Sequence, residues 1–320
     1  MLKSLQTGIA ALAAAAFGLA LSAASAFADE VKEINISYVT SPFNLQVMVT
    51  KLQGRLEKEF AKDGITINWH EITSGAKQAQ ALAAGSLDFG MVMNSTSVLM
   101  ANAAGNPIKI VSAVSRPSET FALVAAKDGP SSVAELKGKT VAGPKGTVLH
   151  QMLVAAVAKA GLQPGDVKLV SMDLPKARAA MLSGNVDAAL LAASLVIKSE
   201  EEGAHVITTA KGLVTPKLVL AARPDFVAGH PDLVARVIKV HKEAQGYINA
   251  HREEAIALGA KEQNIAIADA TKLADWAGFT TKLDQNDLAS MQDDMQFLIA
   301  NDLIKGPVDL NDILAPSAME

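Results

Sequence analysis

The residues best suited to bind a ligand are short hydroxyl and amide side chains that follow predicted β-strands. Such side chains form several short hydrogen bonds, and glycines leave backbone N–H groups accessible at helix starts. The pattern therefore suits a small polar or anionic ligand. The set comprises Ser41, Asn44, Ser74, Gly75, Asn94, Ser95, Thr96 and Ser115 in the first part of the chain, and Gly146, Thr147 and Ser194 further on. Each residue alone is as readily a helix N-cap, so the prediction rests on the whole set.

Three other side chains could complete this ligand-binding site. Arg116 follows a predicted strand and could pair bidentately with a carboxylate or sulfonate, although a solvated surface arginine is the alternative. Asp173 could accept a hydrogen bond from an ammonium group on a zwitterionic ligand. Phe43 could line a cleft or belong to the core. We include all three in the predicted site.

Motifs for enzymatic chemistry are missing from the sequence. Its six histidines show no H-E-x-x-H spacing, and it contains no G-x-G-x-x-G, G-x-x-x-x-G-K-[ST] or G-x-S-x-G motif. It also contains no cysteine, which excludes thiolate zinc sites and disulfides. We therefore predict no catalytic residue, no metal and no cofactor.

A duplicated segment indicates which elements position the polar residues. Residues 79–90 read AQALAAGSLDFG and residues 178–189 read RAAMLSGNVDAA. Each copy predicts a helix, a glycine at its C-terminus where positive φ is needed, and a turn into a buried strand that begins at an aspartate. The copies lie too far apart for a solenoid repeat and suit a duplicated α/β lobe. Two similar lobes imply a cleft between them.

Hydrophobic patterning predicts alternating strands and helices in both lobes, and hence an α/β fold with parallel-rich sheets and right-handed crossovers. The strand predicted at 218–222 returns to the first lobe, and the residues after it are predicted to be mostly helical. We therefore assign 29–117 and 218–320 to lobe 1 and 118–217 to lobe 2. Two chain crossings, near 117–121 and 214–218, would form the hinge.

The N-terminus and the charge balance indicate the compartment and the partners. Lys3, an apolar run over 9–21 and the Ala26-Phe27-Ala28 site are typical of a cleaved signal peptide covering 1–28, with an uncleaved anchor as the alternative. The net charge is −4, no basic run occurs, and aromatic residues make up 4% of the chain. This composition argues against nucleic-acid binding. We expect an exported, periplasmic monomer.

Several segments together resemble the periplasmic solute-binding proteins of ABC importers for nitrate, sulfonates, taurine and thiamine precursors. They are EITSGAKQAQALAAGSLDFG at 71–90, LKGKTVAGPKG at 136–146, ARAAMLSGNVD at 177–187 and HPDLV at 230–234. The resemblance covers nearly the whole chain after the signal peptide. It implies a type II periplasmic-binding-protein fold, hinge closure around a small-molecule ligand, and docking on a membrane permease. It also places Ser41, Ser74, Asn94, Ser115 and Gly146 around the ligand.

The sequence departs from this family in one place. Sulfonate binders of this type usually carry a W-D-P-Y-like run after the second repeat copy, where this chain has Ala192-Ala193-Ser194-Leu195. This loss favours a bulkier or more apolar organic ligand over sulfonate or taurine. Capture of a small organic anion or zwitterion for an ABC permease is the leading hypothesis. An enzyme of the pyrimidine-precursor type and a periplasmic sensor module on the same fold are the alternatives.

Overall fold

A computed structural model describes residues 31–39 and 43–320. The predicted signal peptide and Ser41 lie outside the described residues. Among the helices described, none is long and apolar enough to cross a membrane.

Two five-stranded sheets form the framework. The first has the order β2-β1-β3-β10-β4 and the second the order β7-β6-β8-β5-β9. The strands of the first sheet are β1 (Glu33–Tyr38), β2 (Thr66–Glu71), β3 (Phe89–Asn94), β4 (Lys109–Ser115) and β10 (Leu218–Ala222). Those of the second are β5 (Phe121–Ala125), β6 (Thr140–Gly143), β7 (Lys168–Ser171), β8 (Ala188–Ala192) and β9 (His205–Thr209). We call the halves built on them lobe 1 and lobe 2; the residue limits of the lobes stay a prediction.

In each sheet four strands run in one direction, as expected for a parallel-rich sheet, and one strand runs against its neighbours. Strand β10 is antiparallel to β3 and β4, and β5 is antiparallel to β8 and β9. Both are the first strand after a crossing between the sheets. Two consecutive strands run parallel when a crossover connection within their own sheet joins them. Strands β5 and β10 enter from the other lobe, so no such connection precedes them. The predicted return of 218–222 to the first sheet is confirmed.

Thirteen α-helices occur among the described residues. They are α1 (Leu45–Leu52), α2 (Arg55–Phe60), α3 (Gly75–Ala83), α4 (Ser95–Ala103), α5 (Val148–Lys159), α6 (Leu174–Leu182), α7 (Ser194–Glu201), α8 (Pro224–Gly229), α9 (Pro231–Ala250), α10 (Arg252–Gln263), α11 (Ile267–Ala277), α12 (Gln285–Ala300) and α13 (Leu310–Ile313). Helices α1 and α2 are separate because Gly54 between them has φ of +58°, a left-handed conformation that glycine adopts at little steric cost.

The C-terminal helices belong to lobe 1. Helix α1 packs against α9 and α10, and α12 packs against α4. The buried strands β3 and β10 supply the centre of this core, with Phe89 stacked edge-to-face on Phe226 at 5.4 Å between ring centroids. A wide, rigid lobe 1 therefore supports the carboxyl end of its sheet, where β1, β2 and β3 lead into α1, α3 and α4.

Candidate functional site

Three helices begin where the two lobes meet. Helices α3 and α4 start after Ser74 and Asn94, whose side chains accept hydrogen bonds from the backbone N–H of Lys77 (3.5 Å) and Ser97 (2.8 Å). Helix α5 of lobe 2 starts after Thr147, whose hydroxyl donates to the Pro144 carbonyl at 2.9 Å. Polar residues at strand ends thus act as the caps and loop anchors that their types favour. Each helix start adds partial positive charge and N–H groups without a partner inside the helix.

Asn94 joins helix starts from both lobes. Its Oδ1 accepts from Ser97 N on its own helix and from Val148 N, 3.2 Å away at the first turn of α5. Ser97 Oγ also donates to the Gly146 carbonyl at 2.8 Å. Gly75 packs tightly here, since a Cβ at this position would lie 2.7 Å from Ser97 Oγ and 2.9 Å from Asn94 Nδ2. The three helix starts therefore converge on one point.

A cavity of about 40 Å³ lies at this point, with walls from both lobes. Its polar lining comes from Thr73, Gly75, Gln78, Asn94 and Thr147. Its apolar lining comes from Val39, Val92, Phe121, Pro144, Val148, Leu149, Leu174 and Leu218. None of these residues is charged, so an anion here would be held by helix N–H groups and neutral side chains. The volume admits a few waters, whereas ligand pockets usually need several hundred Å³. The cavity alone therefore does not hold a whole organic ligand in this arrangement of the lobes.

A wider groove of about 510 Å³ shares Pro144 with the cavity and borders its lining residues at Gly75 and Thr147. Lys77, Lys145 and Lys176 line it, and Asp173 is the only acidic lining residue among residues 31–39 and 43–320. Lys77 Nζ lies 2.9 Å from Asp173 Oδ2, across the two lobes. The Lys77 side chain is 61% exposed, so this ion pair contributes little to stability. The groove forms a positively charged entrance that would attract anions.

His150 lies on the first turn of α5 and is buried. Its Nδ1 accepts a hydrogen bond from Gly146 N at 3.4 Å. Burial, together with the nearby charge of Lys145, lowers the pKa of His150 to about 4. The imidazole is therefore neutral at pH 7 and adds no cation to the site.

The structure brings together seven of the residues predicted from the sequence. Gly75, Asn94 and Thr147 line the cavity, and Ser74, Gly146 and Asp173 line the groove. Thr96 connects the lobes, because its hydroxyl donates to Gln151 Oε1 at 2.7 Å. Their assignment to a ligand stays a prediction.

Other predicted residues lie away from both the cavity and the groove. The Arg116 guanidinium pairs with Asp287 on α12, with Nε 2.8 Å from Oδ1, instead of facing the cavity. Phe43 packs against Gly259 of α10, where an added Cβ would lie 2.7 Å from its ring. Asn44, Ser95, Ser115 and Ser194 are buried and absent from both linings. For these residues the strand-end position reflects burial in the core or ion pairing.

Sequence reasoning missed Gln78, which lines the cavity from inside α3. Its Nε2 donates to the carbonyls of Ile72 (3.1 Å) and Val92 (3.0 Å), and its Oε1 accepts from Ser37 Oγ at 2.8 Å. A glutamine in an Ala-rich helix resembles ordinary surface composition, so the sequence gives no signal for this role. The apolar lining was missed for the same reason, since its residues look like any other core positions.

Known proteins resemble this chain in sequence and in fold. The NMT1/THI5-like family matches residues 59–255, more than half of the chain. The taurine-binding periplasmic protein of Escherichia coli is 31% identical over 232 residues, which cover 71% of this chain and 70% of that protein. The crystal structure of the periplasmic aliphatic sulphonate binding protein SsuA from Escherichia coli matches with a TM-score of 0.71 and 25% identity, covering 90% of this chain and 94% of SsuA.

A second solved structure supports the fold alone. The alkanesulfonate-binding protein SsuA from Xanthomonas axonopodis pv. citri, bound to MOPS, has a TM-score of 0.77 at 24% identity, covering 89% of this chain and 99% of that one. The predicted periplasmic-binding-protein fold is confirmed by these matches. The relatives are binding proteins, which confirms the prediction of a binding protein instead of an enzyme. The chain belongs to the NMT1/THI5-like family, as a relative of the solute-binding proteins that serve ABC importers.

Proposed function

We propose that this protein captures a small organic anion, of the sulfonate or taurine type, between its two lobes. The observation that carries the proposal is the convergence of three helix starts from both lobes on one cavity without a charged wall. Helix starts bind anions through free N–H groups and partial positive charge. The lysine-lined entrance and the sulfonate-binding relatives support the same ligand class.

The proposed site consists of Gly75, Asn94 and Thr147 with the helix starts that they flank. Leu174, Leu218 and Phe121 add apolar surface to the cavity. The residues after the second repeat copy, Ala192-Ala193-Ser194-Leu195, include no aromatic or acidic side chain. A sulfonate attached to an apolar chain therefore fits this lining better than taurine, whose ammonium group would find no carboxylate among the cavity residues.

A ligand panel tests the proposal directly. Residues 29–320 would be screened by thermal shift against alkanesulfonates, taurine, nitrate, carboxylates, amino acids and pyrimidines. A ligand at a hundred times its Kd adds about 2.7 kcal/mol of stability, which raises Tm by several degrees. We expect the largest shift with an alkanesulfonate. No shift with any anion in the panel would contradict the proposal.

A matched pair of variants then locates the site. Asn94→Ala removes a cavity-lining amide and the hydrogen-bond acceptor shared by α4 and α5, so calorimetry should show binding weakened at least tenfold, equivalent to about 1.4 kcal/mol. Asn185→Ala alters an exposed asparagine in the second repeat copy and should leave the Kd unchanged. Equal Kd values for both variants would place the ligand elsewhere.

We further propose that the chain is exported, cleaved after Ala28 and active as a periplasmic monomer that delivers its ligand to an ABC permease. Its periplasmic relatives support this placement. Mass spectrometry of the exported protein should find Asp29 at the N-terminus, and light scattering should give the monomer mass. Neighbouring genes for a permease and an ATPase would agree with import, whereas a receptor kinase gene would favour a sensor.

A further inference from the structure

Two of the aspartates on helix α12, Asp287 and Asp294, lie two turns apart, and each pairs with a cation at one of the crossings between the lobes. Asp287 binds Arg116, the first residue after β4. Asp294 binds Lys217, the residue before β10, with 3.0 Å between Asp294 Oδ2 and Lys217 Nζ. Helix α12 of lobe 1 therefore forms an ion pair with each of the two chain crossings that make up the hinge.

The two ion pairs differ in burial and in what else they bind. The Arg116 side chain is 32% exposed, whereas that of Lys217 is 1% exposed. Lys217 Nζ makes a second hydrogen bond, to the Thr215 carbonyl at 2.8 Å. A buried ion pair is tolerated when further hydrogen bonds satisfy its remaining atoms. For Asp294, that further partner comes from the other lobe.

Gln151 of lobe 2 supplies this partner and is itself 2% exposed. Its Nε2 donates to Asp294 Oδ1 at 3.0 Å, and its Oε1 accepts from Thr96 Oγ1 at 2.7 Å. Both polar atoms of the Gln151 amide thus bind α12 or α4 of lobe 1: Nε2 binds Asp294 beside the hinge, and Oε1 binds Thr96 at the start of α4. Lys217 and Thr215 lie at the crossing between the lobes, whereas Gln151 lies on helix α5 in the body of lobe 2. Separating the lobes therefore breaks both contacts of Gln151.

We propose that Gln151 is a positioning residue for ligand binding, which stabilises the closed arrangement of the lobes by linking the Lys217–Asp294 pair to Thr96. The proposal rests on the proposed function, since closure is what encloses the ligand. Gln151 lies one turn after Val148, whose N–H is bound by Asn94 at the cavity. Helix α5 therefore contributes both to the cavity lining, through Val148, and to the contact with the hinge, through Gln151. Bonds present only in the closed state shift the equilibrium towards it.

The test measures lobe separation without ligand, so it does not depend on knowing the ligand. The chain has no cysteine, and Gln80→Cys with Lys176→Cys places one spin label on each side of the groove. Electron paramagnetic resonance gives the distance between labels. Gln151→Leu keeps the side-chain size and removes both hydrogen bonds. We expect a longer label distance than in the parent and, with an alkanesulfonate as probe, at least tenfold weaker binding.

Asp287→Asn is the matched control, because it weakens the ion pair at the other crossing, which lies within lobe 1. It should lower the denaturation midpoint and leave the label distance unchanged. If Gln151→Leu does not fold, Thr96→Val removes one of the two hydrogen bonds and should lengthen the distance by a smaller amount. An unchanged distance in the folded Gln151 or Thr96 variant, or an equal increase in Asp287→Asn, would overturn the proposal. A longer distance in the absence of any binding would uphold the closure role and contradict only the proposed ligand class.

Discussion

Asp88 and Asp187 occupy equivalent places in the two repeat copies and make the same contacts. Asp88 Oδ2 accepts a hydrogen bond from Asn35 N, and Asp187 Oδ2 accepts one from Thr140 N, both at 2.8 Å. In return, the backbone N–H of Asp88 donates to the Asn35 carbonyl, and that of Asp187 donates to the Thr140 carbonyl. Each one therefore ties the start of its strand to the neighbouring strand, β1 or β6. The shared aspartate maintains the scaffold at the end of the sheet opposite the cavity.

The copies diverge at the other end of the same strands. Asn94 follows β3 and caps α4, whereas the equivalent residue after β8 is Ala193, which has no capping side chain. Ala193 is buried and has φ of +48° and ψ of −119°, a conformation that is unfavourable for a residue with a Cβ. The site is consequently asymmetric: α3 and α4 supply two helix starts from lobe 1, and α5 supplies the one from lobe 2. Duplication preserved the framework, while the loops at the cavity changed separately.

The largest expected difference between the copies is in stability after removal of each aspartate. Asp88 is buried and also binds Arg223 at 2.8 Å, whereas the Asp187 side chain is 33% exposed and meets Lys139 at 3.3 Å. Asp88→Ala leaves buried partners unsatisfied and should lower the free energy of unfolding by about 3 kcal/mol. Asp187→Ala should lower it by about 1 kcal/mol. Urea denaturation measures both values, and equal losses would show that burial does not distinguish the two copies.

The repeated scaffold could be predicted from the sequence because its signals are local. Gly85 and Gly184 both have positive φ, as expected for glycines that end helices, and the strands after them were placed within one residue. The antiparallel course of β5 and β10 could not be predicted from local patterns. It follows from the path of the chain between lobes.

The site could be predicted only in part, because side-chain partners come from distant parts of the sequence. Asn94 and Thr147 were found because polar caps at strand ends are visible locally. Arg116 satisfies the same local criterion, yet its partner Asp287 lies 171 residues away. Gln151 and Lys217 show no local pattern at all, since their roles arise from buried contacts between α5, α12 and the hinge.

Each lobe also buries one histidine, so acid should weaken both halves. His241 of lobe 1 is fully buried, with Nε2 2.9 Å from the Ala113 carbonyl and Nδ1 without a partner among the described residues. Burial lowers the pKa of His241 to about 4, as it does for His150 in lobe 2. In the unfolded chain both histidines bind a proton as the pH falls through about 6.5, whereas in the folded chain they stay neutral until the pH approaches 4. Stability is therefore full above pH 6.5 and falls as the pH drops towards 4.

His241→Gln should remove the contribution of lobe 1 to this loss. The glutamine amide can still donate to the Ala113 carbonyl, and it does not titrate in this range. Each buried histidine contributes at most about 1.4 kcal/mol per pH unit, so the variant should lose about 2 kcal/mol less than the parent between pH 7 and pH 5. Urea denaturation at several pH values measures this difference, with His70→Gln, an exposed histidine, as the control. Parallel pH curves for all three proteins would contradict the assignment.

The smallest expected effect concerns the strained residue that replaces Asn94 in the second copy. Ala193→Gly removes the Cβ that makes φ of +48° unfavourable, which should recover about 1 to 3 kcal/mol of strain. Glycine also gains entropy in the unfolded chain, which offsets about 0.5 to 1 kcal/mol of this gain. The free energy of unfolding should therefore rise by about 1 kcal/mol in Ala193→Gly. Ala189→Gly in the buried strand β8 is the control, and because it relieves no strain it should lower the free energy of unfolding by a similar amount. If Ala193→Gly also leaves the Kd for an alkanesulfonate unchanged, the strain belongs to the scaffold. If it weakens binding, the divergence at this position serves the site, because the strained turn then holds the start of α7 in the geometry that the closed lobes require.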